Sequence, residues 1–140
     1  MKLFIDTWAW LALRDKKESR HEEVKGYYGQ SRSRKEIIYT TDYVLDETIT
    51  LLFRRLVFDT AKESLTKIDK AIKEGYIQVE WITPERFEKA KMMRLKYQDK
   101  PKISFTDLTS MVVMKELGIE DILTEDEHFE HVGMGFKHKP

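Results

Sequence analysis

The apolar positions of this chain fall into short continuous runs separated by longer stretches with helical spacing. "KLFI" at residues 2–5 is one such run, and it stops at Asp6. Continuous runs suit strands covered on both faces; alternation would mark a strand with one wet face. A helix through "WAWLAL" follows, with Thr7 expected as its N-cap. "EIIYTT" at 36–41 is a second β-rich run, closed by Asp42 as the expected cap of a helix through "YVLDETITLLFRRL". Ala61, Leu65, Ile68 and Ile72 recur at helical spacing in a third helix, opened by Asp59 or Thr60 and stopped by Gly75. "YIQVEWI" predicts a strand. Thr83 and Pro84 supply a cap and a proline at the first helical position of a helix through Tyr97. "QDKPK" is the clearest linker. "SFTDLTSMVVMKEL" at 104–117 then predicts a helix stopped by Gly118, and "DILT" at 121–124 a short strand. There is no internal repeat and no low-complexity segment.

Strands alternating with helices predict an α/β sandwich with a mostly parallel sheet. In such sheets the functional crevice lies beyond the carboxyl ends of the strands. A chain of 140 residues is expected to form one domain, residues 1–140, with about 68–70% of its unfolded surface buried. Its 25 basic and 25 acidic residues cancel, so nucleic acid must be held by local patches of charge. The first apolar run is too short for a signal peptide, and no run reaches the ~18 residues of a membrane span. Absence of cysteine excludes a disulfide framework, a thiolate zinc site and a thiol nucleophile. A cytoplasmic location is the resulting expectation. With 36% charged residues, no asparagine and three glutamines, the composition resembles that of hyperthermophile proteins, which speaks to habitat and not to function.

Acidic residues sit just after the strands. Asp6 ends the first; Asp42, Asp46 and Glu47 lie in the helix after the second; Asp107 opens a helix; Asp126 follows "ILT". Singly, each has an ordinary explanation. Asp107 with Ser104 fits a capping box, Glu47 an exposed helical acid, and Asp126 a solvated acidic loop with Glu125 and Glu127. Asp6 is harder to dismiss, because a charge closing a buried strand needs partners. Together they are a different matter. Carboxylates converging at one sheet edge repel each other and lose solvation, and a hard cation such as Mg²⁺ relieves both penalties.

"LFIDTWAW", "TTDYVLDETITLLFRR", "ISFTDLTSMVVMKELGIEDILTEDEHF" and the final "GF" resemble the PIN domain, and most of all its stand-alone VapC-type members, the toxins of toxin–antitoxin pairs. The resemblance spans residues 3 to 136. It implies a three-layer α/β/α sandwich with about five strands and a ribonuclease dependent on Mg²⁺ or Mn²⁺. The family's acidic quartet falls on Asp6, Glu47, Asp107 and Asp126, and its hydroxyls on Thr7 and Thr124. Assignment is ambiguous where acids crowd, at Asp46 and at Glu125 and Glu127. The resemblance further implies a homodimer and an antitoxin that blocks the cleft.

The expected reaction is hydrolysis of an RNA phosphodiester, with Asp6 and Asp107 as first metal ligands and Glu47 and Asp126 binding directly or through water. Attack by water leaves a 5′-phosphate and a 3′-hydroxyl. The four histidines read as structural or exposed: His21 and His138 in polar settings, His128 and His131 three apart without a third zinc ligand. Among many basic residues, Arg54 lies seven residues from Glu47 on the same helix face and is the favoured phosphate contact. A haloacid dehalogenase reading fails because Trp8 stands where a second aspartate is required. Two alternatives stay open: a PIN nuclease in RNA processing or DNA-structure cleavage without a toxin role, and a non-catalytic acidic binding module.

Overall fold

The computed structural model describes residues 1–140. Its centre is the sequence-predicted first strand, β1 (Lys2–Ile5), whose last three residues are all buried. Strands β2 (Ile37–Thr41), β3 (Ile77–Glu80), β4 (Asp121–Leu123) and β5 (Lys137–Lys139) complete a five-stranded sheet in the order β3-β2-β1-β4-β5. Every pairing is parallel. The chain builds outward from β1 to β3, then crosses back to lay β4 on the other side of β1. Right-handed crossovers therefore place the helices α1 (Thr7–Arg14), α2 (His21–Ser33), α3 (Asp42–Arg55) and α4 (Phe58–Lys73) on one face. They place α5 (Pro84–Lys96), α6 (Phe105–Leu117) and the short α7 (His128–His131) on the other.

Helix α6 is buried all round from Leu108 to Met114, which explains its unbroken apolar run. It starts on a capping box: Ser104 Oγ accepts from Asp107 N–H at 3.0 Å, and Asp107 Oδ2 accepts from Ser104 N–H. It stops at Gly118, which is left-handed with φ 67°. Helix α5 starts on Thr83 and Pro84 as expected.

Several expectations are corrected. Asp6, not Thr7, caps α1, accepting from Ala9 N–H at 3.3 Å. Thr41, not Asp42, caps α3; Asp42 is the first helical residue and accepts from Ile82 N–H at 2.7 Å, bracing the chain after β3. Helix α4 begins at Phe58 with no side-chain cap. The segments 21–33, 128–131 and 137–139 form α2, α7 and β5, none of which the apolar pattern announced. Their apolar residues are sparse, and their order comes from tertiary contacts. His21 is buried with Nδ1 2.7 Å from the Ala12 carbonyl, where a polar loop setting was expected.

The left-handed turn at Gly118 gives a clean test, because a Cβ there would meet nothing and the cost is purely conformational. Gly118→Ala should lower unfolding stability by about 1 kcal/mol with an unchanged denaturant slope in urea titrations.

Candidate active site

Pairing of β1 with β4 sets Ile5 opposite Leu123, so the residues that follow, Asp6 and Thr124, emerge side by side at the carboxyl edge of the sheet. This is also where the strand order reverses, the place where open parallel sheets keep their crevices. Thr124 is fully buried. Its hydroxyl donates to Asp6 Oδ2 and accepts from Asp126 N–H at 3.0 Å. One threonine thus fixes two of the four acids. Asp126 in turn accepts from His128 N–H at 2.8 Å, starting α7. Asp107 enters from the first turn of α6, oriented by Ser104.

These four acids line one open cleft of about 690 Å³, together with Thr7, Glu125 and Glu127. Asp46 is not among its walls. Glu47 stands exposed on α3. Asp6, Asp107 and Asp126 form the electrostatic centre. Burial pushes the Asp6 carboxyl up to about 7; the Thr124 hydrogen bond opposes this, and the charges of Asp107 and Asp126 add to it. Asp107 rises to about 6, mainly through burial and then through the charge of Asp126. No lysine or arginine offsets either shift.

Carboxylates crowded together, with no lysine or arginine among the groups that shift Asp6 and Asp107, are the donor chemistry of a hard divalent ion. No three acid or imidazole side chains form a finished ligand set as they stand. That fits the charge state: acids held partly neutral by burial and repulsion share protons until a cation displaces them.

The structure moves other expected residues. Arg54 is exposed outside the cleft, and its neighbour Arg55 lines it instead, 3.2 Å from Glu18. His128 and His131 also line the cleft, with ring centroids 6.4 Å apart. Their spacing of three was visible in sequence; their place beside the acids needed α7 to form. Trp8 lines the cleft as well, under the Arg20 guanidinium at 5.0 Å, and its buried Nε1 has no partner. Many basic candidates are engaged elsewhere. Lys89 pairs with Glu116 at 3.1 Å, Lys91 with Glu88 at 3.2 Å, and Arg32 stacks on Tyr76 at 3.8 Å.

An all-parallel α/β sandwich with carboxylates gathered at its switch point is the architecture of an acidic, hydrolase-like cleft. The chain belongs to the PIN-domain family: the family model "PIN domain" matches residues 3–134. It is similar to the 23S rRNA-specific endonuclease VapC20 of Mycobacterium tuberculosis, 31% identical over 132 residues and 94% of both proteins. The crystal structure of that VapC20, a sarcin–ricin loop cleaving toxin, superposes with a TM-score of 0.79 at 30% identity over 94% of this chain and 95% of that one. VapBC2 of Rickettsia felis, bound to a DNA fragment from its promoter, shares the fold with a TM-score of 0.74 at 12% identity, each chain fully covered. The chain is thus a PIN domain of the VapC type.

Two predictions follow from the site. Because the folded Asp6 carboxyl titrates near 7 against an ordinary 3.8, the folded state holds an extra proton between these values. The associated stability is complete below about pH 4 and lost as pH rises through about 7. Without metal, the melting temperature of the wild type relative to Asp6→Asn should therefore fall from pH 4 to 8; a gap that stays constant would contradict the burial argument.

For Asp107, cap and ligand roles separate by substitution. Asp107→Asn retains a capping side chain but loses a charged oxygen, so activity should collapse while the melting temperature moves little. Ser104→Ala should cost about 0.5–2 kcal/mol and leave turnover per folded molecule nearly intact.

Proposed function

We propose that this protein is a metal-dependent endoribonuclease that hydrolyses RNA phosphodiester bonds as the toxin of a toxin–antitoxin pair. The observation that carries the reading is the convergence of Asp6, Asp107 and Asp126 on one cleft, where burial and mutual repulsion raise the Asp6 and Asp107 carboxyls. Asp6 and Asp107 hold Mg²⁺ or Mn²⁺ first, with Asp126 and Glu47 binding directly or through water. When bound, the ion lowers the pKa of water and stabilises charge on the attacked phosphate.

The protein's own groups do the positioning. The Thr124 hydroxyl occupies Asp6 Oδ2 and Ala9 N–H occupies Oδ1, so the carboxylate cannot swing away from the cleft. The Ser104 backbone N–H holds one oxygen of the Asp107 carboxylate, Oδ2, in the capping box. The Thr7 hydroxyl is buried in the cleft wall and has no partner, which leaves it available to a water molecule or a phosphate oxygen.

VapC20 acts on 23S rRNA and cleaves the sarcin–ricin loop. A structured ribosomal RNA loop is accordingly the first substrate to assay, and a toxin role brings with it a cognate antitoxin. The chain works as one nuclease domain, residues 1–140, in the cytoplasm; no helix is long and apolar enough to cross a membrane. It also works as a homodimer. Val57 and Phe58, at the start of α4, are 74% and 67% exposed, and Phe58 packs edge-on against Phe53, a surface that favours a covering partner.

Purified protein should cleave ribosomal RNA only with Mg²⁺ or Mn²⁺, stop on chelation and leave 5′-phosphate ends. Chelator-resistant cleavage with 2′,3′-cyclic phosphate ends would contradict the proposal, since it marks attack by the neighbouring hydroxyl. Cleavage in vitro without growth arrest on expression would favour the processing role instead.

A further inference from the structure

An acidic cleft binds a cation but repels the polyanion it is meant to cut. The flanking strand of RNA must find positive charge nearby, and most basic side chains around the cleft are already paired. Arg55 faces Glu18, and Arg20 is bonded to Glu23 at 2.7 Å. One direction is different. His128 and His131 line the acidic cleft on one side and a second recess on the other, shared with Lys100, Pro101 and Lys102. The wall between the two recesses is therefore a pair of imidazoles, and beyond it two lysines against one aspartate, Asp99, leave the recess with a net positive charge.

The second recess is built on the segment that reads in sequence as a loose linker, yet it is held firmly. A single guanidinium, that of Arg94 at the end of α5, donates to the carbonyls of Tyr97 at 2.8 Å, Lys100 at 2.7 Å and Ile103 at 2.5 Å. The Tyr97 hydroxyl reaches the Val132 carbonyl at 3.5 Å, tying the same turn to the end of α7. Ile103, at the end of the turn, is buried and leads into the Ser104–Asp107 cap. The lysines thus stand on a turn whose backbone is fixed relative to the metal-binding acids. Lys102 is exposed and has no ion-pair partner; Lys100 has only its exposed neighbour Asp99, at 3.0 Å.

We propose that Lys100 and Lys102, with His128 and His131 between them and the acids, form a subsite for the RNA backbone phosphates that flank the bond cut in the cleft. Arg94 is its positioning residue: it touches no RNA and sets the turn. The inference rests on the nuclease reading above and adds the direction in which the bound strand leaves the cleft. Lysine suits this task, because exposed ammonium groups on flexible stems bind successive phosphates without reading sequence. The imidazoles add N–H donors where the strand passes from negative to positive surface.

The test compares wild type, Lys100→Ala/Lys102→Ala and the control Lys89→Ala/Lys91→Ala, whose lysines lie on α5 away from both recesses. With Mg²⁺ present, the Lys100/Lys102 variant should raise KM for a single-stranded RNA about tenfold and change kcat less than about twofold. In fluorescence anisotropy with the same RNA, the slope of log Kd against log salt should flatten by about 1.4, the share of two phosphate contacts on a single strand. The control should match wild type in both. Arg94→Lys should reproduce the KM defect with both lysines present, because one ammonium cannot span three carbonyls. Wild-type cleavage with an unchanged KM and salt slope in the Lys100/Lys102 variant overturns the subsite and leaves the nuclease standing. If wild-type protein neither binds nor cleaves RNA, the nuclease reading fails first and the subsite falls with it.

Discussion

The hydrogen bond from Thr124 to Asp6 is the constraint on which the site depends. It exists because β1 and β4 pair in parallel with Ile5 opposite Leu123, which puts the first residues beyond each strand in reach of one another. It bridges 118 residues of sequence and lies where no water competes, since Thr124 is fully buried and Asp6 nearly so. The same hydroxyl then receives Asp126 N–H, so the loop after β4 is shaped by the carboxylate at the end of β1. The nearby His128 Nδ1 lies 2.9 Å from Asp126 Oδ1 but is not aligned as a hydrogen bond, which leaves the backbone N–H as the bond that orients this acid.

Such a site is costly to the isolated fold. Buried acids that repel each other are stable mainly in protonated form, and the interior offers no arginine or lysine to balance them. The scaffold tolerates this because the remainder is conventional: a continuous apolar core joins all of β1 beyond Lys2 with the buried faces of α1 and α6. Function and stability therefore pull on different residues, with the core supplying the fold and the acidic cleft borrowing from it.

Legibility in the sequence follows the same division. Elements with dense apolar runs, β1, α3 and α6, were readable because their pattern is dictated by burial on the sheet. Asp6, Asp107 and Asp126 were readable as acids at strand ends and helix starts, and the resemblance to VapC-type chains joined them into one set. What the pattern did not carry was anything set by distant contacts. Helix α2 has a polar face and a buried histidine that satisfies a carbonyl across the turn. Strand β5 is three residues, Lys-His-Lys, and is a strand only because β4 offers it an edge. Arg54 was favoured on helical phase alone, whereas the packed structure puts its neighbour Arg55 at the cleft. The binding of three carbonyls by Arg94 depends on a turn that sequence shows only as a linker.

The central claim is that a divalent cation takes the place of protons shared among buried carboxylates. Calorimetric titration of the metal-free protein with Mn²⁺ measures this directly when repeated in buffers of different ionisation enthalpy. Near pH 6, with Asp6 titrating near 7, binding should release about one proton per ion, and the release should vanish near pH 8 where the acids are already charged. Binding with no proton release at pH 6, or no binding at either pH, would contradict the account.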